Sequence, residues 1–163
     1  MIVNKIIIAL VSFIFLQVGS LYAEVSYTFK VKNTEFIGSV EKEKEGKKTI
    51  SFVGIPFAEP PVGNLRWKAP REIDKYPDTF KATTLPNRCM QISNFYDEMD
   101  GIEGGSIIGS EDCLYLNIYL SEKAYNSKEK LPVVFWIHGG GNTWGYSASN
   151  IFTSGDFILE HDV

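Results

Sequence analysis

His138-Gly139-Gly140-Gly141 follows the apolar run Leu131 to Ile137, and it is where the residue types of this sequence speak most directly of chemistry. A strand that empties into consecutive glycines brings main-chain N–H groups to one point with no side chains in the way. Such a point holds a small anion, or an oxygen on which negative charge develops. That is one of the two parts required for hydrolysis through a serine nucleophile. The other is a hydroxyl on a sharp strand-to-helix turn, written G-x-S-x-G, and no segment of the 163 residues fits it. Ser147, Ser149 and Ser154 lack that context and read as loop and cap residues. His138 reads as a residue that shapes the glycine loop and His161 as a helix-end residue, so neither is assigned as a general base.

The elements that must position these glycines can be read outward from them. Leu131 to Ile137 is almost wholly apolar without alternation, the pattern of a strand covered on both faces by helices. Upstream, Thr34 to Val40 and Thr49 to Phe57 are rich in β-branched and aromatic residues. The polar stretch Glu41 to Lys48, with Gly46 inside it, predicts a β-hairpin whose charged run is the solvated turn. Pro56, Pro60 and Pro61 remove donors and fix φ, making an irregular crossing to Gly63. Met90 to Ser110, with Gly101, Gly104, Gly105 and Gly109, shows no sustained period and is expected to be a long loop. Leu114 to Leu120 predicts a strand and Asn126 to Lys130 a polar turn. Beyond the glycines, Asn142 to Ser149 predicts a loop, and Ser154 to His161 a short helix capped by Ser154. Asp162-Val163 then opens a further strand. The expectation is an α/β class in which the chain stops inside an alternating pattern, an incomplete domain.

Residues 1–23 have the organisation of a signal peptide: Lys5 as the positive region, Ile6 to Leu16 as the apolar region, and Leu21-Tyr22-Ala23 before the cut. That apolar stretch is far shorter than the roughly 20 residues a membrane-spanning helix requires, so no stable span is expected in this chain. The formal net charge is −4, and the basic residues of Lys42 to Lys48 alternate with glutamates. Nucleic acid and anionic membrane surfaces are poor partners for such a chain. Cys89 and Cys113 are the two cysteines; in an oxidising compartment an even count favours one disulfide, the alternative being two buried thiols. His138 and His161 lie far from both in sequence, so no metal-ligand set is gathered.

Four segments in this order resemble the type-B carboxylesterase and cholinesterase family of α/β-hydrolases. They are Phe52-Val53-Gly54-Ile55-Pro56-Phe57-Ala58-Glu59-Pro60-Pro61-Val62-Gly63 with Leu65-Arg66-Trp67; Cys89-Met90-Gln91; Ser110-Glu111-Asp112-Cys113-Leu114-Tyr115-Leu116-Asn117-Ile118; and Val133 to Gly141. The resemblance spans nearly all of residues 24–163, which it identifies as the N-terminal portion of a carboxylesterase type-B domain. It implies part of an α/β-hydrolase sheet, with a small antiparallel hairpin region beside it. It makes Gly140 and Gly141 oxyanion-hole donors with Gly139 allowing the turn, pairs Cys89 with Cys113, and joins Arg66 to Glu111 in a structural salt bridge. The family's serine, acidic residue and histidine would all fall after Val163, and no cofactor or metal is implied.

Two departures bear on specificity. Asn142 stands where the family usually has an aromatic residue, and Trp144 is the candidate to fill that wall of the substrate site. Ser121 stands where a proline is common and is expected to change only a turn. In cholinesterases the first disulfide loop carries a tryptophan that stacks on the choline cation. Met90 to Asp112 contains no Trp, leaving Phe95 and Tyr96 as weaker cation–π partners and favouring a general carboxylesterase. The resulting expectation is part of a secreted serine carboxylic-ester hydrolase acting on a small ester, with the 163 residues alone inactive. The alternative is a non-catalytic, cholinesterase-like adhesion ectodomain.

Overall fold

A computed structural model of the protein describes residues 26–99, 101–148 and 158. The signal segment 1–23 lies outside the described residues. So do the final Asp162-Val163 and the helix expected over Ser154 to His161, apart from the helical Ile158.

Strand β1 (Tyr27–Val31) pairs antiparallel with β2 (Thr34–Lys44), and β2 with β3 (Lys47–Pro56). The hairpin expected from the β-branched runs is present, but its turn is much tighter than expected. Lys44 faces Lys47, so only Glu45 and Gly46 turn the chain, at φ 54° and 75°. Two left-handed residues in succession make the turn whose twist matches the strands it joins. The charged run Glu41 to Lys48 is therefore mostly ladder. Charged side chains at strand ends stay solvated without breaking the backbone pairing, and Glu43 falls opposite Lys48.

Strand β2 is shared. Its first half lies between β1 and the parallel β4 (Thr79–Lys81), and its second half pairs with β3. On the far side of β3 runs β7 (Tyr115–Ser121), antiparallel, closing the order β1-β2-β3-β7. β3 is the strand buried on both faces, with Thr49, Ile50, Ser51, Phe52 and Val53 all inside. The core is aromatic: Tyr27, Phe36, Ile50, Phe52, Ile55 and Ala82 form it, with Phe29, Tyr76 and Phe80 packed against it. Phe29 stacks on Phe36 with ring centroids 4.9 Å apart and meets Phe52 edge-on at 4.6 Å. Such pairs add about 0.5–1.5 kcal/mol to the burial itself.

Met90 to Ser110, expected as a long loop, carries short elements of its own. It folds into β5 (Gln91–Ile92) and β6 (Ile107–Ile108), paired antiparallel, with helix α1 (Phe95–Met99) between them. Asp97 reaches back from the first turn of α1 to accept the Asn94 N–H at 2.8 Å, a cap that starts a helix too short for any period to reveal. The polar turn expected at Asn126 to Lys130 instead starts at the end of helix α2 (Glu122–Asn126), which Ser121 N-caps by accepting the Ala124 N–H at 3.0 Å. A proline at 121 offers no such acceptor, so this departure builds a helix rather than altering a turn.

Leu131 to Ile137 is the main correction. It has no strand structure, and Val133, Val134, Phe135 and Ile137 are exposed. An apolar run becomes a covered strand only where other strands complete its ladder and helices pack on its faces. Among the described residues neither is placed against it.

Candidate active site

The glycine loop is a tight reversal. Gly140 and Gly141 have φ of 121° and 60°, and Asn142 follows at 59°, a left-handed position that asparagine tolerates better than the usual aromatic residue would. The Gly140 carbonyl accepts the N–H of Thr143 at 3.0 Å, its hydroxyl at 3.0 Å and the N–H of Trp144 at 3.2 Å. The Trp144 main chain thus folds back onto Gly140 so closely that a β-carbon there would collide with the Trp144 carbonyl oxygen. Only glycine fits, for steric as well as conformational reasons. The Trp144 indole lies beside Gly140, 3.3 Å from where that β-carbon would stand. His138 contacts the Gly139 carbonyl through Nδ1 at 2.9 Å, so it shapes the loop from within. Among the described residues no acceptor takes the N–H of Gly139, Gly140 or Gly141.

The residues after the glycines are tethered at three places. Gln91, buried on β5, exchanges two hydrogen bonds with Gly145: its Oε1 accepts the Gly145 N–H at 2.9 Å and its Nε2 donates to the Gly145 carbonyl at 3.1 Å. Arg88 lays its guanidinium 3.9 Å over the Tyr146 ring while pairing with Asp97. Asn117 on β7 donates to the Ser147 carbonyl at 3.2 Å. Ser147 is thereby engaged as a structural residue. Gln91, Asn117, Arg88, Asp97 and Tyr146 had no role assigned from sequence. A side-chain amide gripping main chain, or an ion pair nine positions apart on an irregular segment, leaves no period to recognise.

The segment that carries Gln91 is closed covalently. Cys89 and Cys113 are disulfide-bonded across a separation of 24, a closure that contributes roughly 3 kcal/mol in the chain-entropy account. Beside it Arg66 and Glu111 form an ion pair joining the proline-rich crossing to the disulfide segment. The Tyr115 phenol donates to Asp112 at 2.8 Å, and burial together with that carboxylate pushes its pKa up to about 12. Among the described residues no three His, Cys, Asp or Glu side chains are placed to hold a metal ion, and no helix is long and apolar enough to cross a membrane.

Comparison with known proteins places the chain in a family. Residues 26–163 match the family described as the Carboxylesterase family. Acetylcholinesterase 1 of Caenorhabditis briggsae is 39% identical over 123 residues, which cover 72% of this chain and 19% of the relative. Juvenile hormone esterase of Tribolium castaneum is 37% identical over 127 residues, 78% of this chain and 20% of that protein. Cholinesterase of Mus musculus is 36% identical over 118 residues, 69% and 19%. The chain thus spans about a fifth of the length of the curated relatives it matches. The chain belongs to the carboxylesterase family, in the type-B branch of α/β-hydrolases that includes the cholinesterases.

Proposed function

We propose that this chain carries the oxyanion hole of a secreted serine carboxylic-ester hydrolase, with Gly140 and Gly141 as donors and Gly139 as the supporting turn. The observation that carries the reading is the pair of left-handed glycines whose N–H groups have no acceptor among the described residues, held on a loop that main-chain and side-chain bonds fix in place. Donors that are fixed and unspent stabilise charge only when it forms. In ester hydrolysis it forms on the former carbonyl oxygen as a serine hydroxyl attacks and passes its proton to a histidine. Collapse expels the alcohol, which takes up that proton, and water repeats the sequence on the acyl-enzyme to release the acid.

The substrate is a small carboxylic ester. The segment Met90 to Asp112 has no tryptophan to stack on a quaternary ammonium, which favours a general ester over a choline ester. Trp144, beside Gly140, supplies apolar surface to the substrate site. Residues 1–23 direct the protein to secretion, and the Cys89–Cys113 disulfide suits the oxidising compartment to which that leads. The chain by itself contains no G-x-S-x-G, and residues 24–163 alone turn over no ester.

The test is to express the protein from its complete reading frame and assay short-chain activated esters against a serine-directed organophosphate. Organophosphate-sensitive turnover in that protein, and none from residues 24–163, is expected. A complete frame without a G-x-S-x-G serine and without turnover overturns the reading in favour of an adhesion role.

A further inference from the structure

We propose that Gln91 is a positioning residue for ester hydrolysis, acting through Gly145 to hold the Gly139 to Gly141 turn. This rests on the proposed function. Gln91 is buried, and its amide is fully engaged: Nε2 donates to the Cys89 carbonyl at 2.9 Å and to the Gly145 carbonyl at 3.1 Å, while Oε1 accepts the Gly145 N–H at 2.9 Å. The reverse amide orientation would set Oε1 against both carbonyl oxygens, so the bonding itself selects one rotamer. Gln91 therefore treats Gly145 as a neighbouring strand would, exchanging both backbone hydrogen bonds from a side chain.

Gly145 transmits that grip to the glycines. Its φ is 112°, and a β-carbon on it would stand 2.6 Å from the Gly139 carbonyl oxygen and 2.6 Å from His138 Nδ1. One residue earlier, the Trp144 main chain presses on Gly140. Hydrogen bonds link the Cys89 carbonyl, at the disulfide, through the Gln91 amide to Gly145, whose α-carbon packs close to the Gly139 carbonyl, the residue next to the two proposed donors. Gln91 touches neither donor. Its loss frees the donors to move without removing a group that touches them, and catalysis that depends on prearranged dipoles suffers more than ground-state binding does.

The experiment uses the protein expressed from its complete reading frame, with Gln91→Glu and Gln91→Leu. Gln91→Glu keeps the size and the acceptor but removes both donors, separating loss of hydrogen bonds from loss of packing. Both variants are expected to lower kcat about 10- to 100-fold with KM within about twofold, since misplacement of the catalytic geometry acts on the transition state. A trifluoromethyl ketone, which forms an oxyanion adduct, should lose affinity in step with kcat. Hydrogen exchange at the Gly145 amide should quicken most in Gln91→Leu, which removes the acceptor of that N–H. Unchanged ketone affinity, a parallel rise in KM, or unaltered Gly145 exchange each overturns the positioning role. A wild-type protein without turnover sinks the proposed function and this role with it, and Gly145 exchange then reports separately whether the grip itself exists.

Discussion

Gly54 donates its N–H to Oδ1 of Asn117 across 2.9 Å, where β3 carries one residue more than β7. Between the paired positions Phe52↔Ile118 and Ile55↔Leu116 the ladder cannot satisfy that N–H, and the Asn117 side chain takes the place of the missing backbone acceptor. The same amide donates to Ser147 beyond the glycine loop, so the bulge in the sheet and the end of the loop share one side chain.

Asn117→Leu should therefore cost about 1–3 kcal/mol, because it leaves a partly buried N–H without an acceptor. Asn117→Asp keeps an oxygen for Gly54 and loses only the donor to Ser147, so its cost should be smaller. Denaturant midpoints at unchanged slope, measured on the protein from its complete reading frame, check this ranking. Equal losses would mean that the bond to Gly54 contributes nothing.

The two glycines proposed as oxyanion donors should respond very differently to a methyl group. In Gly140→Ala the new carbon meets the Trp144 carbonyl oxygen, and the loop has to shift to admit it. In Gly141→Ala nothing lies within 4 Å of the new carbon, and the cost is the left-handed backbone alone, about 1–2 kcal/mol. Gly140→Ala should lower both the melting temperature and kcat by the larger amount, with kcat falling about 10²-fold or more as a donor is displaced. Thermal melts and ester turnover of the two variants side by side check it. A Gly140→Ala protein as active as Gly141→Ala would remove Gly140 from the site.

What could be read ahead of the structure follows from which interactions are local. The hairpin of β2 and β3 was legible because β-branched and aromatic residues mark both strands. Its turn was misjudged because Glu43 and Lys48 look solvated whether they sit in a turn or at a ladder end. The disulfide was legible because Cys89 and Cys113 have no other partners to choose from. Leu131 to Ile137 reads as a covered strand from its composition, yet strand structure belongs to the pair and not to the segment. The grip of Gln91 on Gly145 joins residues 54 positions apart through a side-chain amide, and nothing in the spacing of either residue announces it.

Alkaline pH should loosen the fold through tyrosines. The Tyr27 hydroxyl donates to Glu122, and that bond, burial and the nearby carboxylate push its pKa up to about 12 from the ordinary 10.0. Burial and the charge of Glu41 do the same for Tyr119. A raised folded-state pKa means that the folded protein holds its proton where the unfolded chain has lost it. The associated stability is therefore complete below pH 10 and declines from about pH 10 to pH 12. Tyr27→Phe should make that decline shallower while lowering stability at neutral pH through the lost hydrogen bond. Denaturant unfolding at a series of alkaline pH values measures both, and an unchanged slope in Tyr27→Phe would show that Tyr27 titrates normally.

The two ion pairs near the disulfide should differ in kind. Arg66 and Glu111 are 56% and 42% exposed, so water screens the pair and side-chain entropy opposes it, leaving about 0–1 kcal/mol. Arg88 and Asp97 are 14% and 6% exposed, Asp97 also caps α1, and the Arg88 guanidinium covers Tyr146. Removing one member of that pair leaves a buried charge unmatched, which typically costs about 3–5 kcal/mol. Arg88→Met should thus destabilise far more than Arg66→Met, and its effect should persist in high salt while the smaller one fades. The double variant Arg88→Met with Asp97→Asn should recover part of the loss, because the orphaned carboxylate is gone. If the double variant is as unstable as the two single losses added together, Arg88 stabilises through its stacking on Tyr146 and not through Asp97.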